Sequence, residues 1–530
     1  MGWRDKLLDV DCWSVDAGSV EFLETHISEL YFVGDRVFKI KKPVDLGFLD
    51  FRTLEARHFY CEEELRLNRR LSPDVYLGVR EIRMDQEGRL QVDGEGRIVD
   101  YAVEMARLPA DRMLDHLLDR GDLDNGMLRS LCQILVDFHA GAERSPLIDR
   151  WGIPEAVRDN ALENFDQTRE NLRGPAATVV SPVQLDWLET WTRAWLSTHE
   201  GLLSKRVSDR RICDGHGDLH AGNICFLDGE MGNSIRIYDC LEFAPRYRQC
   251  DVACDLAFLL MDLDFRGYRA FASYLQHEYI AESGDHELDL LIPFYKSYRA
   301  CVRAKVALLR SLQLEEPRAS EARAESSAYY QLSISYGASP ALVVLCGLPA
   351  CGKSRVAPCL ARPFEARILS SDHVRKRQHG LVPEADGSAG IHQGIYSPGD
   401  TLDVYAELTG LARECLSEGR SVIVDAGFRT VSERARLLDL AREMALPCTI
   451  LHLEVPESVT RARLEARALD RKEASDADWG VYQALAKEFE PCDEVPAKQL
   501  VTASGESAAE TLSSIVLDSL LSQIPPKPRT

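Results

Sequence analysis

The chain lacks the marks of several large protein classes. No CxxC pair occurs among its 15 cysteines, and their odd number along a long chain is not a disulfide framework. Zinc ribbons and thioredoxin-type redox motifs are thereby excluded. No HExxH or Cys-rich ligand set gives metallohydrolase chemistry an anchor. No uncharged apolar run approaches the roughly 18 residues that a spanning helix needs. The most apolar helical stretch, Val252 to Met261, is interrupted by Asp255. The opening residues MGWRDKLLDV carry no apolar signal core, and Lys6 stands where a myristoylation motif wants Ser or Thr. These absences predict a reducing, cytoplasmic setting. Basic residues are also in short supply: 63 Lys and Arg against 85 Asp and Glu leave a net charge of −22. Such a chain binds nucleic acid or anionic membrane poorly, except through a local basic groove.

What is present divides into two unlike halves. At 530 residues the chain exceeds the about 300 at which single cores stop growing, so a split is expected. The first half opens with strand-like ISELYFVG and DRVFKIKK, then a helix from about Thr53 to Leu71. VYLGVREIR, GRLQV and IVDYAVEM read as further strands. From Asp111 to His199 the pattern is mostly helical, with a β-rich patch around Asn223 to Asp239 and helices again to Leu314. EEPRASEARAESSAYY predicts an exposed helix or linker, and turn residues cluster at Gly337 to Pro340. The second half alternates strands (ALVVLC, ARILSS, SVIVDA, CTILHL, LVTAS) with helical segments, which implies a parallel sheet. Thr430 and Glu433 make a capping box there. The expected domains are 1–335 and 336–530.

Residues 347–354 read GLPACGKS, the GxxxxGK[ST] pattern, between a strand and a helix. Gly347 and Gly352 let backbone N–H groups curl around phosphate oxygens, Lys353 reaches the β- and γ-phosphates, and Ser354 offers a hydroxyl to Mg²⁺. Asp425 ends the strand SVIVDA, where a carboxylate orders the metal's water shell. SSDHVR puts Asp372 and Arg375 at the C-terminal edge of the sheet, facing the ligand crevice. An Asp there can take a proton from a substrate hydroxyl, and an Arg can hold an anionic group. In TRARLEARALDRK, Arg463 and Arg467 share a helix face and are candidates for a lid that neutralises transferring phosphate.

In the first half, residues 216–223 read HGDLHAGN. Asp218 and Asn223, five apart, let one loop place a carboxylate at an acceptor hydroxyl and an amide on Mg²⁺. Asp239, closing SIRIYD, supplies a metal carboxylate. Upstream, Lys39 in VFKIKK is the candidate phosphate lysine, with Lys41 on the same strand face as its rival. Glu64 is the candidate partner on the next helix, beside Glu62 and Glu63. Asp251 and Asp255 are expected to brace the loop by hydrogen bonding. His139 reads as structural, and Cys250 and Cys254 as small buried side chains.

These residues carry two resemblances. GLPACGKS, SSDHVR, SVIVDAGF and the Arg-rich segment resemble the polynucleotide-kinase-like branch of the P-loop kinases. That likeness implies that Asp372 is the general base and Arg375 a substrate holder. THIS (25–28), VFKIKKPVDLGFLDF, ELRLNRRL, CDGHGDLHAGNICF, YDCLEF and DLAFLLMDLD resemble the aminoglycoside phosphotransferase family, a branch of the protein-kinase-like fold. That likeness implies ATP, Mg²⁺ and phosphoryl transfer to a hydroxyl, with THIS over the phosphates. The order of the halves resembles a bacterial arrangement described as bifunctional aminoglycoside phosphotransferase/ATP-binding. The expected architecture is an α+β kinase-like bilobal domain followed by an α/β P-loop domain with a mostly parallel sheet. The expected activity is ATP-dependent phosphotransfer at two sites, Asp218 acting as base in the first. The acceptors are a small hydroxyl compound there and a small molecule or 5′-hydroxyl nucleic-acid end at the second. The alternative is a regulatory ATP-binding protein with one degenerate half.

Overall fold

A computed structural model describes residues 3–13, 15, 17–45, 47, 49–227, 235–364, 366–381, 398–469 and 478–528, without the side chains of 3, 5, 363, 398 and 467–469. The alternating apolar positions at the start of the chain form an antiparallel sheet. Its strands are β1 (Val20–Glu24), β2 (Ser28–Val33), β3 (Arg36–Lys41), β4 (Tyr76–Met84), β5 (Leu90–Val92) and β6 (Arg97–Ala106). Their order in the sheet is β1-β2-β3-β6-β4-β5. β1 has no counterpart in the sequence reading, because four of its five side chains are exposed and give no alternation. On β3, Val37, Phe38 and Ile40 are buried, and Lys39 and Lys41 project from one face, as the two-residue period of a strand requires. The helix Leu54–Asn68 starts where the Thr53 hydroxyl accepts from the Ala56 N–H. It packs on β4 and β6 over Cys61, Leu65, Val75, Tyr76, Val103 and Met105.

A mostly helical region follows, with two small antiparallel ladders: β7 (Ile212–Asp214) with β10 (Gln249–Asp251), and β8 (Ile224–Phe226) with β9 (Ile235–Ile237). The helix Val252–Phe265 has every residue from Val252 to Asp264 buried, four carboxylates short of nothing to bond: Asp251 caps it, and Asp255, Asp262 and Asp264 each hold a partner within the fold.

The chain forms two compact units, residues 1–161 with 196–299 and residues 162–195 with 300–530. The second contains a five-stranded parallel sheet, ordered β12-β13-β11-β14-β15, of β11 (Leu342–Cys346), β12 (Arg367–Ser370), β13 (Val422–Asp425), β14 (Cys448–Glu454) and β15 (Leu500–Ser504). One face is covered by the helices Lys353–Ala361 and Ala509–Leu521, the other by Pro398–Ser417 and Val431–Glu443. The capping box of Thr430 and Glu433 opens the last of these. The segment read as exposed helix or linker is the start of a packed helix, Arg318–Gly337, burying Ala319, Ala322, Ser326, Tyr329 and Tyr330. Small residues at helical spacing let it lie close to its neighbour: the Ser326 hydroxyl donates to the Ala304 carbonyl at 2.7 Å. The two described units thus carry a kinase-like α+β fold and an α/β P-loop fold.

Candidate functional sites

In the first unit, β3 and the helix Leu54–Asn68 bring opposite charges together inside the fold. Lys39 Nζ lies 2.8 Å from Glu64 Oε1 and 2.6 Å from Asp239 Oδ1. Lys41 Nζ takes the other oxygen, Glu64 Oε2, at 2.7 Å. Glu62 and Glu63 face elsewhere, toward His58 and Arg66. Burial alone would push the Glu64 carboxyl up, but the two ammonium groups outweigh it and bring it down to about 2. Burial likewise opposes the charge of Lys39, yet Asp239 and Glu64 hold its ammonium well above the usual value.

Asp239 follows β9 with a left-handed φ of 61°, an uncommon conformation for a non-glycine residue. Two residues hold it, Tyr76 and, from the ELRLNRRL segment, Asn68. The Asp239 N–H donates to the Tyr76 hydroxyl at 3.1 Å, and the Cys240 N–H donates to Asn68 Oδ1 at 2.8 Å. Neither role stands out in sequence, because each residue acts through tertiary contact alone.

The HGDLHAGN loop hangs on the buried helix Val252–Phe265. Asp255 accepts the His216 N–H at 2.7 Å and the Gly217 N–H at 2.8 Å, and Asp262 accepts the Ala221 N–H at 2.9 Å. Burial opposes ionisation of Asp255, but His139 and the backbone donors hold its carboxyl below the usual range. His139 has the structural place expected of it, between Asp255 and the Tyr279 hydroxyl. Asp251 does not brace the loop: it holds Arg206 and caps the helix through the Ala253 N–H. The other side of the Gly217 peptide is held by Arg299, whose Nη1 donates to the Gly217 carbonyl at 3.1 Å. Gly217 has φ 83°, and a Cβ there would lie 3.0 Å from Arg248 Cα. Burial lowers the His216 imidazole pKa. Its Nε2 lies 3.0 Å from the Tyr238 carbonyl and its Nδ1 faces the Asp218 N–H at 3.3 Å, which fixes the Nε2–H tautomer.

This scaffold holds Asn223 Nδ2 3.0 Å from the Asp218 carbonyl and 3.5 Å from Asp218 Oδ2. The Asp218 carboxylate is one-third exposed, 3.5 Å from His220 Nε2. THIS forms the turn between β1 and β2, closed by the Ser28 N–H on the Thr25 hydroxyl at 3.0 Å.

In the second unit, GLPACGKS turns from β11 into the helix Lys353–Ala361, with φ of 141° at Gly347 and 106° at Gly352. The Ser354 hydroxyl donates to Asp425 Oδ2 at 2.9 Å. Lys353 curls over its own loop, its Nζ donating to the Gly347 and Leu348 carbonyls at 2.8 and 3.0 Å. Burial works against its charge, while Cys351, Asp425, Cys346 and Asp372 raise its pKa. Asp372 lies in the first turn and Arg375 in the last turn of the helix Ser371–Gln378 that follows β12. Arg375 is buried, with Nη1 3.4 Å from the Thr401 hydroxyl. Arg463 touches the loop directly: Nη1 donates to the Ala350 carbonyl at 3.0 Å and Nη2 to the Gly505 carbonyl at 3.4 Å. Arg467 is on the same helix, and its side chain lies outside the described residues.

Gly505, just past β15, is a contact the motifs do not reveal. A Cβ there would fall 1.8 Å from the Cys351 carbonyl oxygen. Gly505→Ala must therefore push the phosphate loop out of place. We expect about a tenfold loss of triphosphate affinity at this site with the unit still folded, as for displaced ligand-orienting groups. Titration of inorganic tripolyphosphate checks it. Beside the loop is a cavity of about 720 Å³ whose lining includes Leu348, Cys351, Glu454, Tyr482, Phe489 and Thr502.

Geometry and sequence pattern together define the class: a kinase-like domain joined to a P-loop nucleotide-binding domain. A family described as an AAA domain matches residues 342–492. The chain is 32% identical over 475 residues to Uncharacterized protein Rv2004c of Mycobacterium tuberculosis, covering 89% of this chain and 90% of that one. It belongs to the family of that mycobacterial protein. Among solved structures, aminoglycoside 2′-phosphotransferase-IIIa in its GDP complex is 15% identical with a TM-score of 0.36, covering 60% of this chain and 94% of that one. Kti12 of Chaetomium thermophilum in complex with ADP-AlF3 is 19% identical with a TM-score of 0.26, covering 34% and 98%.

No helix among the described residues is long and apolar enough to cross a membrane, and none of their His, Cys, Asp and Glu side chains cluster in threes fit for a metal ion. In the second unit the Ser354 hydroxyl and the Asp425 carboxylate bring two oxygen donors within 2.9 Å of each other. That suits Mg²⁺, which keeps several of its waters and takes one or two protein ligands beside substrate phosphates.

Proposed function

We propose that the protein is an ATP-dependent phosphotransferase with two nucleotide sites, divided functionally at 335/336. The observation that carries the reading is that each unit sets a half-buried lysine in a charged pocket: Lys39 2.6 Å from Asp239 in the first, and Lys353 on the GLPACGKS loop, whose Ser354 lies 2.9 Å from Asp425, in the second. In the first site Lys39 holds ATP phosphates, Asn223 and Asp239 hold Mg²⁺, and Asp218 accepts the proton of a small-molecule hydroxyl. In the second, the GLPACGKS backbone, Lys353 and Arg463 with Arg467 hold the triphosphate, and Ser354 and Asp425 hold Mg²⁺. Asp372 serves as base there, and Arg375 holds an acceptor that is a small molecule or a nucleic-acid 5′-hydroxyl end. Bound Mg²⁺ neutralises charge on the transferring phosphate. The remaining length of the nucleotide fits the cavity beside Leu348 and Cys351.

Calorimetry with MgADP tests the two sites. Wild type is expected to bind two nucleotides per chain, Lys39→Met and Lys353→Ala one each, and the double variant none. Labelled γ-phosphate followed into size-fractionated extract is expected to lose one acceptor pool in Asp372→Ala. Two bound nucleotides without transfer into any pool would replace this proposal with a regulatory ATP-binding protein.

A further inference from the structure

Five charged groups form one continuous chain in the first unit: Asp239, Lys39, Glu64, Lys41 and Glu242. The proposed phosphate chemistry uses only the first three. Lys41 and Glu242 are left over, although Lys41 is fully buried, Glu242 is 5% exposed, and the two are in direct hydrogen-bond contact. The Phe51 ring, with its centroid 5.2 Å from Lys41 Nζ, closes this end of the chain against water. Removing two charges from water is costly, and a well-packed apolar pair often serves stability as well or better. Burial indeed pushes the Glu242 carboxyl above its ordinary value despite the adjacent ammonium.

The register shows what the pair does. Lys39 and Lys41 are two apart on one face of β3. Asp239 and Glu242 are three apart on the segment that turns at the left-handed Asp239. Each lysine takes one carboxylate from that segment, and both share Glu64, one oxygen each. Without Lys41, both Glu64 oxygens are free to close on Lys39 and draw it away from phosphate. Without Glu242, Lys41 has Glu64 as its one remaining anionic partner and pulls it the other way.

We infer that Lys41 and Glu242 are positioning residues that clamp the second oxygen of Glu64 and the 239–242 segment, and so set nucleotide affinity at Lys39. The inference rests on the reading of Lys39 as the phosphate-handling lysine. The test uses the full chain carrying Lys353→Ala, so that the first site alone binds, with MgADP as probe. Lys41→Met with Glu242→Leu removes both charges at similar volume, and the melting temperature is expected to stay near the parent's. Its MgADP affinity is expected to fall about tenfold or more, as when outer residues that orient ligands are lost. A purely structural pair predicts parental affinity in this variant, which would overturn the inference. If the double variant does not fold, the isosteric Glu242→Gln decides, with a severalfold loss expected and parental affinity overturning it. Binding that survives Lys39→Met in the same background removes the functional reading, and this inference falls with it.

Discussion

Asp218→Asn is expected to cut phosphoryl transfer at the first site by roughly 10²–10⁴, the usual contribution of a positioned general base. Nucleotide affinity should hold within about threefold, the signature of a group needed in the transition state alone. The separation follows from the geometry. The Asp218 carboxylate is outside the Lys39–Glu64–Asp239 chain and contacts Asn223 and His220 instead. Its backbone is fixed from elsewhere, through the Gly217 peptide held by Asp255 and Arg299. An amide of the same shape keeps the loop and loses the proton acceptor. Single-turnover transfer into a small-molecule pool, beside calorimetric MgADP binding, reads both quantities. Equal losses in binding and transfer would count against Asp218 as base and assign it to loop structure.

The second large effect is on stability. Arg206→Met is expected to destabilise the first unit by about 3–5 kcal/mol, because breaking a buried pair strands its partners. The Arg206 side chain is 1% exposed and bonds Asp251 at 2.7 and 2.8 Å and both oxygens of Asp285 at 2.7 Å. Burial opposes its charge, and the two carboxylates raise its pKa. With Met in place, two nearly inaccessible carboxylates face each other with their shared cation gone. Adding Asp251→Asn and Asp285→Asn should recover part of the loss, since neutral amides cost less to bury than bare charges. Chemical denaturation of the full chain, followed by tryptophan fluorescence, measures it. A single variant as stable as wild type would mean that water reaches this cluster.

Much of both sites was legible before the fold. GLPACGKS and HGDLHAGN are short loops whose residues lie within a few positions of one another, so spacing alone suggests the chemistry proposed for them. The strands around them show as apolar runs for the same local reason. What spacing could not give was partner choice across the fold. Three consecutive glutamates, Glu62 to Glu64, look alike in sequence, and burial of one helix face picks the third. Asp251 and Asp255 look like a matched pair one turn apart, yet their side chains diverge, one to Arg206 and one to the loop. Tyr76, Arg299 and Gly505 belong to no motif, because each meets its loop from a distant part of the chain. The start of the helix Arg318–Gly337 reads as solvent-exposed because its first buried positions are Ala319, Ala322 and Ser326, residues that signal close approach only when the neighbour is known.

The burial of the helix Val252–Phe265 bears on how the HGDLHAGN loop moves. Loops usually belong to the least stable part of a protein and open on their own. Here the amide hydrogens of His216, Gly217 and Ala221 are bonded to side chains of that helix. Solvent cannot exchange them until those bonds break, and the carboxylates cannot leave without unpacking the helix. In hydrogen exchange the loop and the helix are therefore expected to open as one cooperative unit. The loop that carries Asp218, the proposed base, is thereby expected to share the slow timescale of the core.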